Sequence, residues 1–195
     1  LGLCWDEGPY YQSQRIGLHQ QMGVRLVELG HAYPCFCSSE RLEGLRLEAA
    51  RQSQPFVYDR HCLSLHRQEV ERRIRANEPH VIRFRVADAG VTSYSDLVYG
   101  PKEFENRLIG DFVIVRSDGA PTFLLSCAVD DHDMAITHVI RGDDHISNTP
   151  KQILIMRALG WEPPQYAHLP LICGHDRAPL SKRHGATAFA YYRDH

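Results

Sequence analysis

Residues 137–145 read Thr-His-Val-Ile-Arg-Gly-Asp-Asp-His, a short apolar run that passes directly into charged and titratable side chains. A helix signal follows, with Thr149 as the expected cap and Pro150 at the first helical position, and it extends to Leu159. A second apolar run covers residues 166–172. Strand, helix and strand in this order predict a right-handed parallel crossover, the unit of a doubly wound α/β sheet. Ligands of such sheets bind beyond the carboxyl ends of the strands, where this sequence places its polar residues.

The segment before this unit predicts one more strand. Residues 123–129 are almost continuously apolar and are followed by Asp130 and Asp131. A short apolar run of this length, bounded by polar residues, is consistent with a buried strand. We therefore expect a strand here, ahead of the strand at 137–142.

Composition limits the class of protein. The chain has 195 residues, of which 43% are apolar and 24% are charged, enough for one sizeable core or two small ones. No apolar run approaches membrane-spanning length, and the net charge of -2 does not by itself indicate a nucleic-acid partner. Six cysteines do not require a disulfide framework in a chain of this size, and we expect Cys4, Cys127 and Cys173 to be small buried hydrophobes. A globular protein of the cytosol is predicted.

The two ends of the chain predict a piece of a longer protein. The sequence begins without Met, at an apolar stretch that preceding structure would normally cover. Residues 186–193 resemble the start of a helix without its continuation.

Two further helices are expected upstream. Ser13 can cap the first, which carries Leu18, Met22, Leu26 and Leu29 on one face and ends at Gly30. A second helix-like stretch covers residues 39–51.

Three cysteines are spaced so that they can converge. Cys35 and Cys37 lie one residue apart, and Cys62 returns after the helix-like stretch. Three thiolates can hold one tetrahedral zinc ion, with Tyr58, His61 or a water as the fourth ligand. The spacing is not a standard finger pattern, so three ordinary buried thiols are an equal alternative on spacing alone. If zinc is bound, we expect a structural role, because it would close a subdomain with little core.

Residues 64–122 change from a helical to a strand period. Ser64 can cap a helix with Val70 and Ile74 facing inward and several arginines outward, which could meet phosphates but more commonly form a solvated face. Alternating segments then predict a small antiparallel sheet, at 81–86, 92–98 and 109–115.

A basic loop follows the last predicted strand. Residues 180–185 read Leu-Ser-Lys-Arg-His-Gly. The lysine side chain is a point charge suited to binding phosphate, and arginine can bind a phosphate or carboxylate through two parallel hydrogen bonds. An isolated Lys-Arg-His triplet is, however, more commonly a solvated turn.

Taken together, residues 137–150 and 180–185 resemble the catalytic domain of bacterial-type glutamyl-tRNA synthetases. The resemblance covers essentially the whole chain and includes residues 2–9, the cysteine cluster and residues 118–122. It implies a class I synthetase that uses ATP and Mg²⁺ to activate L-glutamate as the adenylate and then transfers it to the acceptor end of glutamate tRNA. No side-chain nucleophile is needed, because the glutamate carboxylate attacks.

The resemblance also implies a split Rossmann-like sheet with an inserted α+β subdomain. The first part of the Rossmann domain would cover 1–32, the acceptor-binding insert with the cysteine cluster 33–122, the second Rossmann part 123–175, and the signature lysine loop with the following helix 176–195. It further implies a cytoplasmic monomer. A His-Ile-Gly-His-like segment would precede Leu1 and an anticodon-binding domain would follow His195, so we expect the chain alone neither to form adenylate nor to select a tRNA.

Site roles carry over from the resemblance by position. They are Lys182 and Arg183 as the catalytic cations, Asp144, His145, Leu171, Ile172 and Lys182 at ATP, Phe123, Cys127 and Arg141 at glutamate, and Cys35, Cys37, Tyr58 and Cys62 at zinc. Three positions depart from the pattern. Phe123 replaces a tyrosine, Pro179 replaces the first lysine of the loop, and Ser64 replaces a histidine that some relatives have after the last cysteine.

Two other functions are alternatives. One is the glutamyl-queuosine synthetase-like paralogue, which glutamylates a modified tRNA base. It has a shorter gap between the cysteine pair and the tyrosine, and usually lacks Arg-His-Gly after the signature lysine, so both features favour the synthetase here. The other is a non-catalytic RNA-binding module stapled by zinc.

Overall fold

The computed structural model describes residues 4–173, and Lys182, Arg183 and Pro179 lie outside the described residues. Over the described range, short 3₁₀ turns lie at Gln12–Gln14, His61–Ser64 and Asp143–His145. The helices and strands are α1 (Ile16–Glu28), β1 (Ala32–Cys35), α2 (Ser39–Arg51), α3 (Arg67–Arg75), β2 (Val81–Phe84), β3 (Val91–Asp96), β4 (Gly100–Glu105), α4 (Asn106–Ile109), β5 (Phe112–Val115), α5 (Phe123–Asp133), β6 (His138–Gly142), α6 (Thr149–Ala158) and β7 (Gln165–Leu169).

The predicted parallel crossover is confirmed. Strands β6 and β7 pair in parallel, with Arg141 opposite His168 and Gly142 opposite Leu169, and α6 connects them. This pair belongs to a sheet of order β4-β3-β7-β6. A separate antiparallel sheet has the order β1-β2-β5. The chain is therefore a mixed α/β fold with a parallel element, as the sequence predicted.

The prediction of one small antiparallel sheet is wrong, because its strands divide between the two sheets. The segments around 81–86 and 109–115 pair with each other, and the first of them also pairs with β1, a strand that was not predicted from the sequence. The segment 92–98 instead forms a hairpin with β4 and joins β7 in parallel. The buried Asp96 of this strand forms a hydrogen bond with His168 of β7. This contact explains why the strand belongs to the second sheet.

The predicted strand at 123–129 is also wrong, since these residues begin helix α5. Leu125, Ala128 and Val129 are buried, a spacing of three and four residues that only a helix places on one face. A short apolar run fits either structure on periodicity alone, and Leu and Ala favour the helix. The helix packs against α1 and α6 and so covers the core rather than extending a sheet.

Helix α1 forms as expected but begins differently. Ser13 lies in a 3₁₀ turn and caps nothing, and the helix starts after Arg15, which forms ion pairs with Asp130 and Asp133 of α5. Leu26 is fully buried, whereas Leu29 is 42% exposed and does not belong to the buried face. Gly30 ends the helix with a φ of +77°, as predicted.

Helix α2 covers the predicted residues, whereas the starts of α3 and α6 differ by one or two residues from the predicted ones. Helix α3 is capped by His66, whose Nδ1 accepts the Gln68 N–H at 3.4 Å, and not by Ser64. Thr149 is the first residue of α6 rather than its cap, and its Oγ1 donates to the His145 carbonyl at 3.1 Å. The arginines of α3 pair with Glu69, Glu71 and Glu78 on or beside the same helix, which supports the solvated-face interpretation.

Buried apolar residues form two clusters. The larger lies between α1, α5, α6 and the antiparallel sheet. The smaller consists of Tyr33, Cys35, Tyr58 and Cys62, and the partly buried Cys37 packs against it, so all four predicted metal ligands lie in or beside this cluster. Within residues 4–173, no helix is long and apolar enough to cross a membrane.

Candidate functional site

The carboxyl ends of β6 and β7 carry a polar cluster centred on Arg141. Its Nη2 donates to Thr149 Oγ1 and to Gln152 Oε1, both at 2.8 Å, and its Nε donates to His168 Nε2 at 3.2 Å. The guanidinium carbon lies 5.6 Å from the centre of the Tyr166 ring. Strand register explains this arrangement, because Arg141 and His168 are direct cross-strand partners.

The electrostatic surroundings of Arg141 favour an anionic ligand. Burial lowers the pKa of Arg141, and no carboxylate within residues 4–173 forms an ion pair with it. Burial also raises the pKa of Asp131 to about 6, against the opposing influence of Arg141. A half-buried guanidinium without a bonded carboxylate is suited to binding a carboxylate from outside.

Three buried polar atoms accompany Arg141 in this region. Tyr94 Oη, Tyr166 Oη and Gln152 Nε2 have no hydrogen-bond partner among the described residues. Buried groups of this kind are uncommon and call for an explanation, of which a polar ligand is one.

The predicted glutamate residues lie at the same edge. Phe123 and Cys127 are one turn apart on α5. The Phe123 ring lies 5.1 Å from the ring of His145 and is 46% exposed. Cys127 is half-buried rather than fully buried. Burial and the charge of Asp131 raise the pKa of its thiol to about 11, and the charge of Arg141 opposes this rise. The expectation that Cys4 and Cys173 are buried is wrong, because both are exposed.

Two of the predicted ATP residues meet over Gly142. A Cβ atom at Gly142 would lie 2.5 Å from Asp144 Oδ1 and 2.9 Å from Leu171 Cδ2, so only glycine leaves room for both side chains. His145 Nε2 lies 3.9 Å from Asp144 Oδ2. Leu171 and Ile172 are exposed, at 38% and 75%. The structure thus places Asp144, His145 and Leu171 around one backbone turn, while Lys182 and Arg183 lie outside the described residues.

The three cysteines converge in the smaller core. The Sγ atoms of Cys35, Cys37 and Cys62 lie within 4.8 Å of one another, with 3.6 Å between those of Cys37 and Cys62. Tyr58 Oη lies 3.4 Å from Cys35 Sγ and 3.2 Å from Cys37 Sγ, whereas His61 is exposed. Zinc–sulfur bonds of about 2.3 Å in a tetrahedron separate sulfur atoms by about 3.8 Å, so the spacing fits a zinc ion.

Two arginines neighbour the thiols. Arg83 Nε donates to Cys35 Sγ at 3.2 Å, and its guanidinium lies 4.1 Å from the centre of the Tyr58 ring. Arg41 Nη1 lies 3.6 Å from Cys37 Sγ. Burial disfavours the Cys35 thiolate, but hydrogen bonds from Tyr58 and Arg83 outweigh it and lower the pKa of this thiol. Burial raises the pKa of Cys37 to about 11.

Comparison with known proteins decides the family. All of residues 1–195 match the family model for class I tRNA synthetases (E and Q), catalytic domain. The chain belongs to this family. The resemblance seen in the sequence is confirmed, and with it the α/β fold of the synthetase catalytic domain.

Relatives within the family are named as glutamate–tRNA ligases. The chain is 48% identical to the ligase of Coprothermobacter proteolyticus and 50% identical to ligase 2 of Koribacter versatilis, with all of this chain aligned to 42% and 40% of those proteins. A crystal structure of a glutamate tRNA ligase from Elizabethkingia meningosepticum in complex with its amino acid covers 92% of this chain and 38% of its own, with a TM-score of 0.82 and 31% identity. The chain spans about two fifths of the length of the curated relatives it matches.

Two residues that orient Arg141 were not predicted from the sequence. His168 and Asp96 are both fully buried, and His168 Nδ1 lies 2.5 Å from Asp96 Oδ2. The other Asp96 oxygen accepts the backbone N–H groups of Val98 and Tyr99 at 3.0 Å and of His168 at 3.3 Å. Their positions in the sequence could have indicated them. Asp96 and His168 are each a single titratable residue within a predicted strand, and a buried charged or polar group requires a partner.

Proposed function

We propose that this chain is part of a glutamate–tRNA ligase that uses ATP and Mg²⁺ to join L-glutamate to the acceptor end of tRNA. The observation that carries the proposal is the half-buried guanidinium of Arg141, held at the carboxyl ends of parallel strands with no bonded carboxylate among the described residues. Identity of 48% and 50% to proteins named as glutamate–tRNA ligases supports it.

The chemistry needs positioned charges rather than a nucleophilic side chain. An oxygen of the glutamate carboxylate attacks the α-phosphorus of ATP, and the bond to the departing pyrophosphate breaks. A ribose hydroxyl of the tRNA then attacks the activated carbonyl and releases AMP. Mg²⁺ bound with ATP would offset the negative charge of the phosphate oxygens. Cations held in place stabilise the charge that develops in such steps.

Each group of residues has a proposed part in this reaction. Arg141 binds a carboxylate of glutamate, with Phe123 and Cys127 lining the same pocket. Asp144, His145, Leu171 and Ile172 hold the adenosine beside the Gly142 turn, since Gly142 leaves room for Asp144 and Leu171 together. Lys182 and Arg183, which lie outside the described residues, supply positive charge to the phosphates.

A structural zinc ion belongs to the same proposal. Cys35, Cys37 and Cys62 would hold it as thiolates, with Tyr58 as the fourth ligand because its oxygen lies beside two of the sulfurs. Bound zinc would join the end of β1 to the 3₁₀ turn at His61–Ser64, while Arg83 and Arg41 offset the negative charge of the thiolates. The subdomain boundaries at 33–122 and 123–175, a cytoplasmic location and a monomeric state stay predictions.

Charging of tRNA by the full-length protein that contains this chain tests the proposal. We expect radiolabelled glutamate, but not glutamine or aspartate, to be attached to total tRNA in an ATP-dependent reaction. Removal of the terminal adenosine from the tRNA should abolish the product, because its ribose is the acceptor. Charging that survives this trimming would instead indicate glutamylation of a tRNA base. RNA binding without any charging would indicate a non-catalytic module.

A further inference from the structure

The buried pair formed by Asp96 and His168 lies directly behind Arg141. Both side chains are fully buried, and they come from strands β3 and β7, 72 residues apart in the chain. Asp96 is held as a carboxylate: burial opposes its charge, but hydrogen bonds from His168 and from three backbone N–H groups lower its pKa to about 2. A carboxylate can only accept hydrogen bonds. The proton between Asp96 and His168 therefore belongs to Nδ1 of the histidine.

This proton fixes the role of the other ring nitrogen. A neutral imidazole with its proton on Nδ1 presents a lone pair at Nε2. Nε2 lies 3.2 Å from Arg141 Nε and 3.1 Å from Thr149 Oγ1. The single hydroxyl proton of Thr149 has two acceptors within reach, this lone pair and the His145 carbonyl. Guanidinium has donors and no acceptor, so the contact with Arg141 requires an unprotonated Nε2. Asp96 thus selects the tautomer that can accept from Arg141.

The remaining contacts of Arg141 define where its free edge points. Thr149 Oγ1 and Gln152 Oε1 both accept from Nη2. Among residues 4–173 the hydrogen bonds of the guanidinium use Nε and Nη2, which leaves the Nη1 end for a ligand. Three acceptors on one side hold the planar group in a single orientation.

We infer that His168 and Asp96 are positioning residues for glutamate recognition, acting through Arg141 to set the orientation in which its guanidinium meets the substrate carboxylate. The inference rests on the proposed function, because it assigns the substrate of Arg141 to the same reaction. A purely structural role for the pair would be to join β3 to β7. Such a role would not distinguish glutamate from ATP.

Steady-state kinetics of the full-length protein separate the two roles. Pyrophosphate exchange is measured with total tRNA present while glutamate and ATP are varied in turn. His168→Leu removes the acceptor, and we expect the KM for glutamate to rise about tenfold or more while the KM for ATP changes less than about twofold. His168→Gln offers an amide oxygen near the position of Nε2 and should restore most of the glutamate affinity. His138→Leu, at an exposed histidine of β6, is the matched control and should behave as wild type.

Equal losses for both substrates, or no rescue by glutamine, would overturn the inference. A second measurement on the wild-type protein needs no substitution: nitrogen NMR of labelled histidine reports the tautomer of His168. The inference requires a neutral ring protonated at Nδ1 at pH 7, and a proton on Nε2 would overturn it. Absence of any glutamate-dependent exchange in the wild type would count against the proposed function instead, and the tautomer measurement would still stand on its own.

Discussion

The residues that hold Arg141 in place come from distant parts of the chain. Its position at the end of an apolar strand was predictable from residues 137–145 alone. Its partners were not, since His168 is 27 residues away and is itself oriented by an aspartate 72 residues before it. Sequence periodicity carries no information on which side chains meet across strands until the order of the strands is known. Arg141 was therefore predicted from the sequence as a site residue, whereas its hydrogen-bond partners were not.

Asp131 beside Arg141 gives a prediction about pH. Burial raises its pKa from 3.8 to about 6, so the folded protein binds this proton more tightly than the unfolded chain does. Stability is therefore lost as pH rises through this range. Asp131→Asn should become more stable relative to wild type by roughly 2 kcal/mol between pH 4 and pH 8. Urea unfolding at several pH values measures the difference.

The matched control for this prediction is Asp118→Asn. Asp118 lies on an exposed turn, where the Ala120 N–H donates to its carboxylate and lowers its pKa. Its replacement should give no gain in stability at high pH. A difference between Asp131→Asn and wild type that does not change with pH would contradict the account of Asp131.

At the scale of elements, helix α5 marks a limit of sequence analysis. A seven-residue apolar run fits a strand or one side of a buried helix equally well, and only the packing partners decide. Here α1 and α6 are the partners. Gly23 lets α1 approach β5, because a Cβ there would lie 2.8 Å from Val115 Cγ2, while Leu125 of α5 would be in ordinary contact at 3.7 Å. The crossover β6-α6-β7 was predictable because its helix start and both strands carried separate signals.

The cysteine cluster connects elements that otherwise share little core. We expect elemental analysis to find about one zinc per chain in protein purified without chelator and reconstituted with zinc. Cys37→Ser should lose most of this metal. Removal of zinc by a chelator should lower the melting temperature of the wild type, since metal binding contributes to folding stability.

Cys173→Ser is the matched control for the metal. Cys173 is exposed and lies outside the cluster, so its replacement should leave the zinc content unchanged. A wild-type chain without zinc after reconstitution would show that the three residues are ordinary buried thiols.

For the molecule as a whole, the family was recognised by combining segments that are each weak signals when taken singly. The polar strand end at 137–145, the cysteine spacing and the glycine-containing turns each fit several proteins, but their order fits one family. Pairing between β3 and β7 was not predictable from sequence, because it depends on the buried Asp96 and His168 contact between distant segments. The same contact places the Arg141 cluster against strands from both predicted subdomains.

The most direct test of the central claim is the dependence of pyrophosphate exchange on glutamate in the full-length protein, with Arg141→Gln compared with wild type in the presence of tRNA. Arg157→Gln, at an exposed arginine of α6, is the control. The account predicts that Arg141→Gln raises the KM for glutamate by about tenfold or more, with the KM for ATP changed by less than about twofold, and that Arg157→Gln changes neither. Glutamate dependence of exchange that is the same in Arg141→Gln and wild type would contradict it.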